Sequence, residues 1–158
     1  KALTNGAIPM GAVAVTSKVY NTVVDEAPEK SIELFHGYTY TAHPVACAAA
    51  IASLDIYASE NLFRRAAALE AKFLEELFAL KDIPIVTDIR GIGLLGAVDL
   101  ALDEKPGHRG NRALKEFFDN GVLVKMTGDT AILAPPFIAS ETDLTKMFEK
   151  LRGVIKKL

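Results

Sequence analysis

The stretch Lys1-Ala2-Leu3-Thr4-Asn5-Gly6-Ala7-Ile8-Pro9-Met10-Gly11-Ala12-Val13 decides how this chain is read. A lysine precedes a turn-rich segment with two glycines and a proline, and an apolar run, Ala12-Val13-Ala14-Val15, follows. The pattern places an amine at the mouth of a loop held by buried structure. A lysine desolvated in such a place can lose its proton and attack a carbonyl to form an imine. On chemistry alone, an ordinary exposed lysine at a chain end is the stronger reading.

Working outward, a second string carries similar weight: His36-Gly37-Tyr38-Thr39-Tyr40-Thr41-Ala42-His43-Pro44-Val45-Ala46-Cys47-Ala48-Ala49-Ala50. Gly37 lets the backbone approach an anion closely. The Tyr38 and Thr39 amides can point at that anion, and the Thr39 hydroxyl adds a donor. Pro44 suits the first turn of the Ala-rich helix that follows. Taken alone, the string reads as a plain loop before a helix.

Together, and at this interval, the two strings resemble the class III (omega) aminotransferases, which bind pyridoxal 5'-phosphate. The first resembles the family's Schiff-base lysine segment. The second resembles the segment that reaches across the dimer to the partner's cofactor phosphate. The likeness continues to the C-terminus and is greatest to the beta-alanine–pyruvate (omega-amino acid–pyruvate) branch. It implies that Lys1 carries the cofactor and moves the proton of transamination. It implies that Tyr38 and Thr39 serve the partner's phosphate, so that a homodimer or higher homo-oligomer shares its sites. The implied substrates are a small amino donor and a keto acid, with pyruvate as acceptor. The alternatives are a class III enzyme for GABA, ornithine, taurine or simple amines, or a non-transaminating enzyme on the same fold. A non-catalytic α+β binding domain is a further reading.

The chain has 158 residues, enough for one modest domain. Half are hydrophobic and 24% are charged, an ordinary globular composition. A net charge of −2 gives no reason to expect nucleic acid or an anionic membrane as partner. No apolar run reaches membrane-spanning length, and no signal-peptide pattern is present. One cysteine, Cys47, fits a reducing and hence cytoplasmic setting, and it reads as a small buried hydrophobe. The family resemblance implies a longer polypeptide, of which this is the C-terminal part. The remaining part would hold the acidic partner of the pyridine nitrogen, the ring-stacking aromatic and the first phosphate loop. The expected fold class is therefore α/β and α+β, the C-terminal portion of a fold-type I (aspartate aminotransferase-like) enzyme. Residues 1–58 would end the large domain, and residues 59–158 would form the small domain with its interdomain helix.

Residues 11–16 read as a buried strand and 17–24 as a short helix. Pro44 to about Ala58 reads as a helix with small residues on every face. Glu60 to about Leu80 reads as an amphipathic helix, with Leu62, Ala66, Leu69, Phe73 and Leu77 on one side. Beyond it, Ile83–Ile89 and Leu94–Leu100 read as strands, with Pro84 suggesting an edge. Asn111–Asn120 reads as a helix stopped by Gly121. Val122–Met126 and Thr130–Leu133 pair across Thr127-Gly128-Asp129. Ser140 caps the last helix, with Asp143 as its capping-box partner.

Gly91-Ile92-Gly93-Leu94-Leu95-Gly96 matches a dinucleotide-binding glycine pattern. That fingerprint needs a following helix to receive the pyrophosphate, and here Ala97-Val98-Asp99-Leu100 reads as strand. The glycines instead predict a tight turn and a strand packed closely on a neighbour. His36, His43 and His108 have no metal-ligand spacing. His36 and His43 are expected to hydrogen-bond locally, and His108 to be exposed. Lys125 stands where the resembled branch usually carries an arginine that grips the substrate carboxylate in a fork. Lysine keeps the charge and loses the planar geometry. Lys125 therefore reads either as a substrate-binding residue of looser grip or as a solvated lysine at a strand end, with the carboxylate then held by another basic residue or the substrate an amine for which a fixed clamp matters less.

Overall fold

Thr16 accepts a hydrogen bond from the Val19 amide and so starts the first helix, α1 (Ser17–Asp25). The computed structural model describes residues 1–158 and divides them into two compact units, Lys1–Glu60 and Asn61–Leu158. In the first unit a turn over residues 1–7 leads into extended chain, then α1, a long loop, and α2 (Pro44–Ser59). Pro44 occupies the first helical position of α2, where a missing N–H costs nothing. Helix α2 is mostly apolar with no distinct polar face, Asp55 being its one charged residue, yet only Ala46 and Ala50 are buried. Val45, Ile51, Leu54 and Ile56 stand exposed.

The strand expected at residues 11–16 does not form. The segment is exposed and unpaired. A strand exists only where a neighbour takes its backbone hydrogen bonds, and residues 11–16 take part in none of the strand pairings of the chain.

In the second unit, Asn61 adopts a left-handed backbone (φ 50°) and separates α2 from α3 (Leu62–Phe78). The expected helix from Glu60 to Leu80 thus starts two residues later and finishes in a tighter turn, Ala79–Asp82. Four antiparallel strands follow: β1 (Val86–Ile92), β2 (Leu95–Leu100), β3 (Lys125–Thr127) and β4 (Thr130–Leu133), in the order β1-β2-β4-β3. Helix α4 (His108–Asp119) lies between β2 and β3, and α5 (Glu141–Ile155) closes the chain.

Period-two alternation decides the sheet's inner face. Val98 and Leu100 of β2 and Ala131 and Leu133 of β4 are buried. They meet Leu69, Phe73 and Leu77 of α3, Phe117 of α4, and Leu144, Phe148 and Leu151 of α5. Phe73 and Phe148 pack with ring centroids 5.5 Å apart. The glycine pattern is explained here. Gly91 and Gly96 pair across β1 and β2, and Gly93 makes the turn with φ 56°. A Cβ on Gly91 would lie 2.6 Å from the Leu77 side chain, and one on Gly96 2.8 Å from it. The missing side chains make room for α3, as close packing requires, and not for a phosphate.

Ser140 and Asp143 form the expected reciprocal capping box on α5. Gly121, with φ 74°, ends α4 through Gly121 N–H to Phe118 O and Val122 N–H to Phe117 O. That second bond draws Val122 into the helix end, so β3 begins only at Lys125.

Candidate active site

Lys1 heads a tight turn. Its carbonyl accepts from the Thr4 amide at 3.3 Å and from the Gly6 amide at 3.1 Å. Asn5 and Gly6 both take positive φ, which lets the chain wind back on itself. Thr4 is 3% exposed, the one buried polar residue of the chain, and its hydroxyl donates to Ile8 O at 2.7 Å. Tyr57, near the end of α2, donates its hydroxyl to Ala2 O at 2.9 Å and ties the turn to that helix. The Lys1 side chain is exposed and makes no hydrogen bond or ion pair.

Around Tyr38 the backbone does something other than expected. The Tyr38 amide donates to the Thr41 hydroxyl at 2.8 Å, while the Thr41 amide donates to Tyr38 O at 2.9 Å. The Tyr38 N–H is therefore spent inside the turn and does not face an anion. The amide and hydroxyl of Thr39 have no partner and remain available. Thr41 is the residue that sequence reasoning missed; the Thr-Tyr-Thr alternation was its only local signal. The histidines follow expectation in part. His36 packs edge-on to Tyr38 at 5.5 Å, and His43 lies against Tyr40 at 6.0 Å with its Nδ1 buried and unpartnered. Their local hydrogen bonds are made by the main chain, His36 N–H to Leu34 O at 2.8 Å and His43 N–H to Tyr40 O at 3.2 Å, while the rings pack. His108 is half-buried, 3.6 Å from Asp103, and not simply exposed. A cavity of about 580 Å³ opens beside this turn, lined by Met10, Tyr38, Tyr40, Thr41, His43 and Cys47. Neither Lys1 nor Thr39 lines it.

Lys125 belongs to the second unit, on the sheet's outer face. The register sets one row as Arg90, Ala97, Ile132 and Lys125, and the next as Asp88, Asp99, Thr130 and Thr127. Arg90 is committed: it forks onto Asp99 at 2.7 and 3.0 Å and also pairs with Asp88. Thr130 adds a hydroxyl to Asp99 at 2.7 Å. The Arg90 guanidinium, and after it the Thr130 hydroxyl, hold the Asp99 carboxyl below its usual range. The same two carboxylates, Asp99 first, push Arg90 further up. Lys125 makes no such contact and is the free cation of this face.

Residues 1–155 match the aminotransferase class-III family model, and the chain belongs to that family. It is 43% identical over 158 residues to an omega-aminotransferase of Caulobacter vibrioides, covering 98% of this chain and 35% of that protein. It is also 43% identical to a beta-alanine–pyruvate aminotransferase of Pseudomonas aeruginosa, with coverages of 98% and 36%. Among solved structures, an (S)-enantioselective omega-transaminase from Thermomicrobium roseum superposes with a TM-score of 0.86 at 30% identity, covering 98% of this chain and 35% of the other. A transaminase solved with L-ala gives 0.91 at 28% identity, covering 98% of this chain and 38% of the other. The mixed α/β and α+β fold class is thus that of fold-type I transaminases. The chain spans little more than a third of these relatives' length.

The residues present fit a pyridoxal phosphate. A free primary amine stands on a backbone fixed by three hydrogen bonds, counting Tyr57 to Ala2. Thr39 offers an amide and a hydroxyl that nothing else uses. No cluster of three or more metal-ligating side chains is present.

Proposed function

We propose that the enzyme containing this chain transfers an amino group between an omega-amino acid or amine of the beta-alanine type and pyruvate, with pyridoxal 5'-phosphate as cofactor. The observation that carries the reading is Lys1: an unpaired amine on a turn pinned by Thr4, Gly6 and Tyr57, in a member of the class-III family. When bound, the cofactor supplies the electron sink for the reaction. Lys1 Nζ is the amine that would hold it, and once freed by an incoming donor it would take the proton from the donor's amine-bearing carbon and pass it on to the cofactor side, not back to the same carbon. Thr39 donates its hydroxyl and amide to the cofactor phosphate of the partner subunit, which makes the active form at least a homodimer. Tyr38 contributes its ring to the wall of that region, since its amide is engaged by Thr41. Lys125 pairs with the substrate carboxylate as a point charge. In this reading residues 1–58 complete a large cofactor domain and 59–158 form the small domain, and the lone thiol of Cys47 suits a cytoplasmic enzyme.

A second reading is favoured by one observation. Lys125 lacks the fork of an arginine, so a substrate for which a fixed carboxylate clamp matters less, such as a simple amine, fits it also. Borohydride reduction of the native enzyme, then digestion and mass spectrometry, tests the main reading. A pyridoxyl mass on the Lys1 peptide supports it. A cofactor-bearing, active enzyme with Lys1 unmodified would remove Lys1 from its role.

A further inference from the structure

The β3–β4 hairpin that carries Lys125 is held from outside the sheet by one carboxylate. Asp129, in the turn, accepts the Gly107 amide on one oxygen at 2.6 Å and the Gly110 amide on the other at 2.8 Å. Both amides belong to the start of α4, where N–H groups lack helical partners and favour negative charge. The Asp129 main chain is engaged too, since its carbonyl accepts from the Leu100 amide at 3.0 Å. The approach is close enough to need glycine. A Cβ on Gly110 would lie 1.8 Å from Gly128 O. At its other end, α4 runs through Gly121 directly into the residues before β3. Helix α4 therefore fixes both the entry to β3 and the turn at its exit.

Strand β3 needs this. It is three residues long, lies at the sheet edge, and pairs only with β4. Lys125 sits on it with nothing to lock its head group. A lysine is a compact charge on a flexible stem, so its aim depends on the backbone beneath it more than an arginine's would.

We propose that Asp129, seated against Gly110, is a positioning residue that sets selectivity for carboxylate-bearing donors by holding the Lys125 hairpin on the N-terminus of α4. The proposal rests on the reading that Lys125 meets the substrate carboxylate. Asp129→Asn replaces one acceptor with an NH2 group that faces an amide donor. Asp129→Glu keeps both acceptors on a longer stem.

The test uses the holoenzyme and two donors, beta-alanine and a simple alkylamine of similar length without a carboxylate. Steady-state kinetics are measured for the wild type, Asp129→Asn, Asp129→Glu, Lys125→Ala and the Asp129→Asn/Lys125→Ala double variant. Hydrogen exchange is followed across the peptide containing residues 107–110. Asp129→Asn is expected to raise KM for beta-alanine roughly ten- to a hundredfold, the range for misplacing a group by up to about 1 Å. It leaves kcat and the alkylamine KM near wild type, speeds exchange at 107–110, and adds nothing to Lys125→Ala. Asp129→Glu falls between the two. Equal effects on both donors, or a full effect added on top of Lys125→Ala, would overturn the positioning role and leave Asp129 a structural tie. If Lys125→Ala itself treats both donors alike, the carboxylate reading of Lys125 fails, and the proposal falls with it by that separate signature.

Discussion

Residues Lys1–Glu60 and Asn61–Leu158 hold themselves in different ways. The second region closes one apolar cluster, from Leu69 to Ile155, between a four-stranded sheet and three helices. The first buries only Thr4, Ala46 and Ala50, and its largest side chains face outward; Phe35 is 92% exposed. Burial of apolar surface is the main stabilising term in folding. The second region therefore has its own source of order, while the first relies on hydrogen-bonded turns and two helices with little buried surface. The candidate chemistry is divided the same way. Lys1, Tyr38 and Thr39 lie where internal packing is thin, and Lys125 lies on the edge strand of the packed sheet. The region that carries the candidate cofactor residues is thus the one with little packing of its own.

That contrast can be broken most directly at Lys1. Lys1→Ala is expected to cut amino transfer by at least about 10³-fold, since both covalent and proton-moving roles are lost. Thermal unfolding of the second region should not move. A fall in its melting temperature would mean that the two regions are not separable in this way.

A matched pair of phenylalanines comes next. Phe73→Ala should cost about 3–5 kcal/mol, because the side chain is fully buried against Phe148. Phe35→Ala in the same 158-residue chain should stay within about 0.5 kcal/mol. Urea midpoints measure both, and a large cost at Phe35 would reveal packing that the first region does not show.

Thr39→Ala sharpens the comparison within the first region. Cofactor retention, measured by dialysis, should weaken by about 1.5–3 kcal/mol, the worth of one hydrogen bond to a charged group. Unchanged retention would take Thr39 out of the phosphate site.

The smallest effect is at Ser140. Ser140→Ala removes the α5 cap and should cost about 1 kcal/mol at neutral pH. The Ser140 hydroxyl, then its amide, hold the Asp143 carboxyl below its ordinary value of 3.8. A depressed folded value contributes stability that is present above 3.8 and is lost as pH falls through the lowered value. The gap between wild type and variant should therefore narrow below about pH 3.8, as urea midpoints across pH would show.

Features governed by neighbours in the chain were legible in the sequence. The Ser140–Asp143 box, the Gly121 stop and the β3–β4 pairing each depend on residues within a few positions of one another. So did the rejection of the dinucleotide pattern, because strand follows Gly96 where a helix was needed. What escaped was set by distant partners. Helix α4 begins at His108 and not Asn111 because Asp129, nineteen residues beyond Gly110, supplies its cap. Residues 11–16 have strand-like composition and no strand to join. The Tyr38 amide faces inward because the Thr41 hydroxyl takes it, a choice that Gly37 and the alternating Tyr and Thr leave open. Membership of the class-III family was legible from two short strings; the use each donor makes of its proton was not.

Helix α2 carries a consequence for handling and assembly. A mostly apolar helix that bares Val45, Ile51, Leu54 and Ile56 is adhesive wherever it stands uncovered. Its covering must arrive before the local protein concentration climbs, or chains will meet one another first. For this molecule, solubility depends on keeping α2 covered as well as on the packed core of the second region.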